Sequence, residues 1–359
     1  MSNTKPRSEP VVKNTDHKLV LDFDDNRLLS ALYGAHDSHL SRIEETLDIQ
    51  AVNRGNLVVL QGGREACERA QEALHDLYAQ LKSGREISPG DVDGALRMTL
   101  APIKNGNEKT AAKGQVRTQK RAVSPRSPNQ AAYIDALYTK ELIVGTGPAG
   151  TGKTYLAVAV AAAMLVEGKV DRIILSRPAV EAGESLGFLP GDMRDKVDPY
   201  LRPLYDALYD MLPGPQVMRS MESGEIEIAP LAFMRGRTLA NSFVILDEAQ
   251  NATPMQMKMF LTRMGENSRM VITGDPTQVD LPFGAKSGLR DALEILPRIK
   301  GVDIINFTEG DVVRHDMVTR IVKAYRQRDM KLTDKKENKR QRQKQNDQHL
   351  KEPEAEHDG

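Results

Sequence analysis

The segment Glu141–Tyr155, ELIVGTGPAGTGKTY, constrains the fold of this chain more than any other stretch. Its apolar run ends at Gly145 and predicts one buried strand of a parallel sheet. The stretch GPAGTGKT at 147–154 fits the pattern G-x-x-x-x-G-K-[ST], and the Ala- and Val-rich segment after it predicts a helix that ends at Gly168. Strand, glycine loop and helix in this order are the context in which the motif predicts a phosphate-binding loop.

The residue types in this loop predict a site for a nucleoside triphosphate. Glycines allow backbone N–H groups to point at phosphate oxygens, and the positive end of the following helix adds to the attraction. We expect Lys153 to reach the β- and γ-phosphates and Thr154 to hold Mg²⁺. The alternative, a glycine-rich turn with a chance lysine, would not require the flanking strand and helix. The predicted phosphate-binding residues are Gly147, Pro148, Ala149, Gly150, Thr151, Gly152, Lys153 and Thr154.

Composition excludes several classes of protein. The chain has 50 basic and 50 acidic side chains in 359 residues, so net charge does not indicate nucleic acid binding and local charge must be considered instead. A single cysteine, Cys67, excludes an internal disulfide and a cysteine-cluster metal site. No apolar run reaches membrane-spanning length, and the first residues lack the apolar core of a secretory signal. We therefore expect a cytoplasmic protein without membrane association.

The N-terminal quarter predicts a small α+β domain. Residues 1–17 are polar and aperiodic and are expected to be disordered, and the domain itself spans 18–101. Its order, β-α-α-β-β-α, resembles that of KH-type nucleic-acid-binding domains, which clamp nucleotides with a GXXG loop. The corresponding stretch here ends in Asp37, whose charge would repel phosphate, so a packing or protein-contact role remains an equal alternative. The expected elements are a strand at 19–23, helices at 26–34 and 41–47, two strands within 49–62 joined by a turn at 53–55, and a helix at 64–84.

Two segments are predicted to be flexible. Residues 102–127 combine Gly, Pro, Ser and Asn with basic side chains and predict a linker, which either attracts a polyanion or is simply solvated. Residues 331–359 are charged and almost free of apolar side chains, so we expect a disordered tail. The basic residues of the linker are Lys104, Lys109, Lys113, Arg117, Lys120, Arg121 and Arg126.

The region 128–330 predicts an α/β domain with a doubly wound parallel sheet. Apolar runs alternate in it with helical stretches, which is the pattern of parallel crossover units. Besides the strand before the glycine loop, strands are expected within 171–179, 225–233, 241–250, 269–278 and 302–310.

Polar residues that follow two of these strands are candidates for catalysis. A buried strand at FVILDEAQ would deliver Asp247 and Glu248 to its carboxyl end beside the glycine loop. We expect Asp247 to hold Mg²⁺ through water and Glu248 to orient or deprotonate the attacking water. Gln278, in GDPTQ, is a candidate for contact with the γ-phosphate. The alternatives are a surface strand end for the acid pair and a simple Gly-Asp-Pro turn for the second stretch.

GPAGTGKT, DEAQ and GDPTQ together resemble motifs of superfamily I helicases. The large domain is still more similar to the PhoH family of ATPases, in the branch without a nuclease domain, which implies a RecA/helicase-like P-loop NTPase fold. The stretches that carry this resemblance are SPNQAAYIDAL (127–137), ILSRPAVEAGESLGFLPGD (174–192), DPYLRPLYDAL (198–208), MRGRT (234–238), FVILDEAQN (243–251) and VVRHDMVTRIV (312–322).

The resemblance implies ATP as the nucleotide and further residue roles. Gln130 matches the glutamine that recognises adenine, and Arg314 lies where related ATPases place an arginine that senses the γ-phosphate. Arg320 and Arg237 are rivals for that arginine, and a surface salt bridge is the alternative for all three.

The resemblance also implies partners. Arg177 follows a strand at a position where helicases grip single-stranded nucleic acid, and Arg202, Arg235 and Arg237 line either the same channel or an intersubunit face. Only one RecA-like lobe is present, so a homo-oligomer would have to supply the second surface. RNA and an rRNA-maturation endonuclease are the implied partners.

The sequence therefore predicts a cytoplasmic, Mg²⁺-dependent ATPase that couples ATP hydrolysis to RNA binding and remodelling. The alternatives are an adaptor whose oligomer or partner contacts are switched by ATP, and, more weakly, a kinase of a small substrate. The GDPTQ and DEAQ strands favour water over a small molecule as the phosphoryl acceptor.

Overall fold

A computed structural model provides the fold of the chain. Contacts separate two compact units, Met1–Val312 and Val313–Gly359. No helix in the part that the structure describes is both long and apolar enough to cross a membrane. The predicted disorder at 1–17 and 331–359 falls outside that part except at His17, which begins the first strand instead. The structure describes residues 17–100, 114–178, 193–282 and 284–313 (for 193–199 only the backbone), together with Met317, Val318, Arg320, Ile321, Ala324, Tyr325 and Arg328.

The N-terminal module, residues 17–100, packs helices on one face of a small antiparallel sheet with strand order β1-β3-β2. Alternate side chains such as Leu21 and Leu60 point into a core shared with Ile43 and Leu74. The order predicted from sequence agrees with the structure through α3. The elements are β1 (His17–Asp22), α1 (Asn26–Tyr33), α2 (Ser38–Leu47), β2 (Gln50–Arg54), β3 (Leu57–Gly62), α3 (Arg64–Lys82) and α4 (Pro89–Leu100).

Helix α4 was not predicted from the sequence. Gly90 and Gly94 lower its intrinsic helix propensity and interrupt the apolar pattern. The helix forms because Val92 and Leu96 are buried in the core of the N-terminal module. Tertiary packing has overridden local propensity here.

The predicted linker is partly ordered. Residues 101–113 lie outside the described part, but β4 (Val116–Arg117) and β5 (Ala122–Val123) form an antiparallel hairpin. Val116 and Val123 are buried in the core beneath the large sheet. The prediction of a flexible segment is therefore wrong for 114–127, because two apolar side chains among many basic ones anchor it.

Residues 114–312, here called the P-loop module, contain a six-stranded sheet of order β11-β6-β10-β9-β7-β8. All five strand pairings are parallel, and an apolar core lies on each face. This confirms the α/β fold with a doubly wound parallel sheet. The strand expected at 225–233 ends early, since a 3₁₀ turn occupies Leu231–Met234. The further elements are α5 (Pro128–Thr139), β6 (Leu142–Thr146), α6 (Lys153–Val166), β7 (Arg172–Arg177), α7 (Met193–Met211), α8 (Gly214–Glu222), β8 (Ile226–Pro230), β9 (Ser242–Leu246), α9 (Pro254–Leu261), β10 (Arg269–Gly274), α10 (Gly288–Ile295) and β11 (Val302–Asn306).

The strand order determines which strand ends share an edge of the sheet. β10 lies between β6 and β9, with Thr273 opposite Gly145 and Ile272 opposite Leu246. Neighbouring strands are about 4.8 Å apart, so the loops after β6 and β9 begin roughly 10 Å from one another. Residues distant in sequence are thereby placed within reach of one ligand.

Candidate nucleotide-binding site

The glycine loop after β6 adopts a conformation that side chains would prevent. Gly147, Gly150 and Gly152 have φ angles of 138°, 82° and 80°. A Cβ atom on Gly147 would lie 2.3 Å from the carbonyl oxygen of Phe307, which follows β11. Gly152 precedes α6 in a left-handed conformation and, as a glycine, offers no side chain of its own to cap this helix. An N-cap without a side chain gives phosphate oxygens access to the positive end of the helix.

Lys153 lies at the centre of the loop. Its Nζ donates hydrogen bonds to the carbonyl oxygens of Gly147 (2.7 Å) and Pro148 (2.8 Å). The side chain is only 9% exposed, so its charge is held in a region of low dielectric. A buried cation surrounded by loop backbone is the arrangement expected for an ammonium that contacts phosphate oxygens.

Asp247 is positioned by hydroxyl groups from two other elements. Its Oδ1 accepts hydrogen bonds from Thr154 Oγ1 at 2.6 Å and from Thr273 Oγ1 at 2.7 Å. Its backbone N–H donates to the carbonyl of Ser176 at 2.8 Å, and the residue is 5% exposed. The structure therefore brings together the two residues that the sequence predicted as Mg²⁺ ligands.

The donor set fits a magnesium ion. A threonine hydroxyl and a carboxylate at the phosphate loop are hard oxygen ligands of the kind Mg²⁺ uses together with water and substrate phosphates. The hydroxyl of Tyr133, which is fully buried, has no hydrogen-bond partner in the described part of the chain. Burial and the charge of Asp247 raise the pKa of this phenol, so it stays protonated. A buried hydroxyl without a protein partner is a place where ordered water is expected.

Glu248 is held by a residue that the sequence analysis did not assign. Glu248 has a φ of 50°, and its carboxylate accepts a hydrogen bond from Gln250 Nε2. Gln250 Oε1 accepts from the backbone N–H of Asp275 at 3.1 Å, and its carbonyl accepts from Ser287 Oγ at 2.8 Å. Gln250 is 1% exposed. It thus joins the acid pair to the end of β10 and the start of α10.

The end of β10 is packed closely against this glutamine. A Cβ on Gly274 would lie 2.7 Å from Gln250 Oε1 and 2.7 Å from Leu289 Cδ2. Gln278, the candidate for γ-phosphate contact, is exposed, and its Nε2 donates to Asp275 Oδ2 at 2.8 Å. Its phosphate contact remains a prediction.

Gln130 lies against the glycine loop rather than at the surface. Ser127 caps α5, and the Gln130 side chain donates from Nε2 to the carbonyl of Thr151 at 3.0 Å. Its Oε1 accepts from the backbone N–H of Arg126 at 2.6 Å. These bonds use one amide hydrogen and one oxygen lone pair, and a primary amide has two of each. The geometry leaves hydrogen-bonding capacity for a nucleobase.

The candidate arginines have different environments. Arg314 lies outside the described residues. Arg237 forms two hydrogen bonds with Glu227, at 2.6 and 2.7 Å, which raise the pKa of its guanidinium and occupy it within the fold. Arg177 donates to the carbonyl of Tyr200 at 3.1 Å and lies 3.9 Å from the Glu248 carboxylate. The remaining candidates, Arg202, Arg235 and Arg320, are exposed.

A parallel sheet with a glycine loop, a buried lysine and a hydroxyl–carboxylate pair defines a P-loop protein that binds nucleoside triphosphates. The family model "PhoH-like protein" matches residues 122–326. The PhoH-like protein of Bacillus subtilis is 49% identical over 299 residues, which cover 82% of this chain and 93% of that protein. The chain belongs to the PhoH family.

Two further relatives agree with this family assignment. The PhoH-like protein of Mycobacterium tuberculosis H37Rv is 48% identical over 304 residues, covering 83% of this chain and 85% of the relative. Protein PhoH of Escherichia coli K12 is 38% identical over 355 residues, covering 90% and 97% respectively. The SWI2/SNF2 ATPase core of Sulfolobus solfataricus, solved with dsDNA, matches with a TM-score of 0.31 and 14% identity over 50% of this chain and 44% of that one. A likeness that slight carries no argument.

Proposed function

We propose that this chain is a cytoplasmic, Mg²⁺-dependent ATPase that couples ATP hydrolysis to the binding and remodelling of RNA. The observation that carries the proposal is the 2.6 Å contact between Thr154 and Asp247 beside the glycine loop. This contact joins a residue in the first turn of α6 to the acid that follows β9. Hydrolysing P-loop enzymes use the same two residue types to hold Mg²⁺ at the nucleotide phosphates.

Each residue at this edge has a distinct task in the proposed reaction. Loop N–H groups and Lys153 bind the phosphates, while Thr154 and Asp247 would hold Mg²⁺, which when bound neutralises charge on the phosphoryl oxygens. Glu248 orients the attacking water and accepts its proton. Gln250 restricts the Glu248 carboxylate to one direction, so less reorganisation is needed when the water binds. Gln130 contributes recognition of the adenine ring.

RNA binding is supported by the position of Arg177. Its guanidinium lies at the carboxyl end of β7, 3.9 Å from Glu248, so this strand end adjoins the proposed catalytic carboxylate. Arg202 and Arg235 are exposed and can bind backbone phosphates without sequence preference. A homo-oligomer supplies the surface that a second lobe would provide, and Arg314 or Arg320 senses the γ-phosphate. An rRNA-maturation endonuclease is the proposed protein partner.

A second candidate, a nucleotide-controlled adaptor that acts without RNA, is favoured by one observation. Asp37 occupies the second-glycine position of the KH-like loop, and its carboxylate accepts a hydrogen bond from Asn53 at 2.9 Å. This contact connects the loop to β2 and holds a negative charge where a KH-type loop would bind phosphate, which that charge would repel. The N-terminal module would then bind a protein.

Steady-state ATPase rates with and without single-stranded RNA test both candidates. We expect RNA to raise the rate, and Glu248→Gln to lower kcat by about 100-fold or more while retaining ATP binding. Glu266→Gln, at the opposite edge of the sheet, is the matched control. Lys153→Ala should abolish turnover without unfolding the protein. Lys300→Ala, at an exposed lysine, is the control and should leave turnover unchanged. An RNA-independent rate would favour the adaptor, and full turnover by Lys153→Ala would exclude the ATPase assignment.

A further inference from the structure

The segment 114–127, here called the connector, is held from both sides. Toward the P-loop module, Lys120 donates from its backbone N–H to Met211 O at 3.1 Å and from Nζ to Tyr209 O at 2.6 Å. Toward the N-terminal module, Ser124 Oγ accepts from Arg85 Nη1 at 2.6 Å. The hairpin is thus fixed on α7, while the residues after it contact the N-terminal module.

Arg126 is the connector residue that reaches helix α4. Its Nη2 lies 3.0 Å from Asp91 Oδ1, and the Asp91 side chain is 12% exposed. A Cβ on Gly94 would lie 3.1 Å from Arg126 Cβ and Cγ, and one on Gly90 would lie 3.0 Å from Nη1, so both glycines give the arginine room. Burial alone would raise the pKa of Asp91, but hydrogen bonds from Ser88 and the Arg126 charge lower it, so the carboxylate is ionised.

The same residue also contacts the nucleotide site. The Arg126 backbone N–H donates to Gln130 Oε1 at 2.6 Å, and Gln130 Nε2 donates to Thr151 O at 3.0 Å. Thr151 is fully buried in the glycine loop, and its hydroxyl donates to Pro148 O at 3.0 Å. A continuous series of hydrogen bonds therefore runs from α4 to the phosphate loop. Gln130 is 4% exposed, so its side-chain amide cannot turn elsewhere without breaking its hydrogen bonds with Arg126 and Thr151.

We infer that Arg126 is a positioning residue of the nucleotide site, and that Asp91 sets its orientation, so that the N-terminal module controls nucleotide affinity through Gln130. This inference rests on the proposed binding of ATP at the glycine loop. Movement of α4 displaces the Arg126 backbone, and Gln130 then loses the bond that aims its amide. The Arg126 side chain is 34% exposed, so the ion pair is partly screened and the expected effect on affinity is moderate.

The test compares ATP binding and turnover in paired variants of the full chain. Arg126→Met removes the guanidinium but keeps the aliphatic stem beside Gly94, and Asp91→Asn removes only the charge of its partner. We expect each to raise the KM and the Kd for ATP by about fivefold with kcat changed less than about twofold, and Arg126→Lys to restore part of the affinity. Gly94→Val should also raise the KM and the Kd for ATP, because the valine side chain would collide with Arg126.

Arg121→Met is the matched control, because Arg121 belongs to the same connector but pairs with Asp210 of the P-loop module at 3.3 Å. It should leave the Kd for ATP unchanged. Amide hydrogen exchange distinguishes this role from a purely structural one. ATP should slow exchange of the amides of residues 89–100 in wild type but not in Arg126→Met. The double variant Asp91→Asn with Arg126→Met should match the single ones.

Two results would overturn the inference, and they are distinguishable. Wild type that binds and hydrolyses ATP, with unchanged Kd and KM in Arg126→Met and Asp91→Asn, would refute the positioning role alone. Wild type that binds no ATP would refute the proposed function and this inference with it. Lower thermal stability of the variants at unchanged ATP affinity also counts against the positioning role.

Discussion

Thr154 Oγ1 donates a 2.6 Å hydrogen bond to Asp247 Oδ1, although the two residues are 93 positions apart in the chain. Thr273 Oγ1 donates to the same oxygen at 2.7 Å. The strand order explains this convergence, because β10 separates β6 from β9 and its end faces both. The direction of one carboxylate thus depends on hydroxyls from two further elements.

Replacing Thr273 by valine removes one of these hydroxyls without changing the side-chain shape much. Thr273 is fully buried, so the lost bond to Asp247 is not replaced by bulk water. We expect kcat to fall about tenfold and the Mg²⁺ concentration for half-maximal rate to rise, with little change in ATP affinity. A magnesium titration of the ATPase rate measures both. Thr139→Val, at the far end of α5, is the control, and an unaltered magnesium dependence in Thr273→Val would contradict the prediction.

Gln250→Leu is expected to impair catalysis and stability together. The variant leaves the Glu248 carboxylate without its amide partner and the Asp275 N–H without its acceptor. We expect kcat to fall more than about tenfold and the free energy of unfolding to fall by about 1–3 kcal/mol. Initial rates and urea unfolding are the measurements. Exposed Gln61→Leu in the N-terminal module should alter neither quantity, and wild-type kcat in Gln250→Leu would show that Glu248 needs no such support.

Gly147→Ala and Gly168→Ala compare a glycine at a close approach to another strand end with a glycine in open space. Both glycines have positive φ angles, but a Cβ on Gly147 meets Phe307 O at 2.3 Å, whereas a Cβ on Gly168 meets nothing within 4 Å. Gly168→Ala should cost about 1 kcal/mol of unfolding free energy, the strain alone. Gly147→Ala should cost more than about 2 kcal/mol and weaken ATP binding. Equal losses in chemical denaturation would contradict the role assigned to this close approach.

Asp311 should make stability depend on pH at the acid end. Burial would raise the pKa of this carboxyl, but hydrogen bonds from Ser127, Asn129 and Thr308 outweigh it and hold the pKa below the ordinary 3.8. A depressed folded-state pKa means that the stabilisation is complete above the unfolded-state value and is lost as pH falls through the folded-state value.

The comparison with Asp311→Asn measures this contribution. At pH 7 the variant should be about 1–2 kcal/mol less stable than wild type, because an amide accepts fewer of these bonds. The difference should shrink steadily below pH 4 in urea unfolding curves. Asp303→Asn, on the neighbouring strand β11, is the control. A stability difference that stays constant down to pH 2 would show that ionisation of Asp311 is not its source.

Much of the fold was predictable because the signals are local. Each predicted strand of the large domain is present in the sheet, since strands buried on both faces require continuous apolar runs such as FVIL before Asp247. Helix α4 and the hairpin at 116–123 were not predictable, because each has few apolar residues and the glycines or basic residues among them interrupt the apolar pattern. Their formation depends on cores contributed by distant segments.

The residues of the candidate site also fall into those that the sequence predicted and those that only the structure revealed. The sequence by itself determined the glycine loop, Lys153 and the acid pair at 247–248, because each belongs to one short strand–loop unit whose backbone geometry follows from its own residues. Only the tertiary structure decided that Thr273 and Gln250 orient those acids, and that Arg126 joins α4 to Gln130. These contacts join residues that the sheet order and helix packing bring together, and no local periodicity records such pairings.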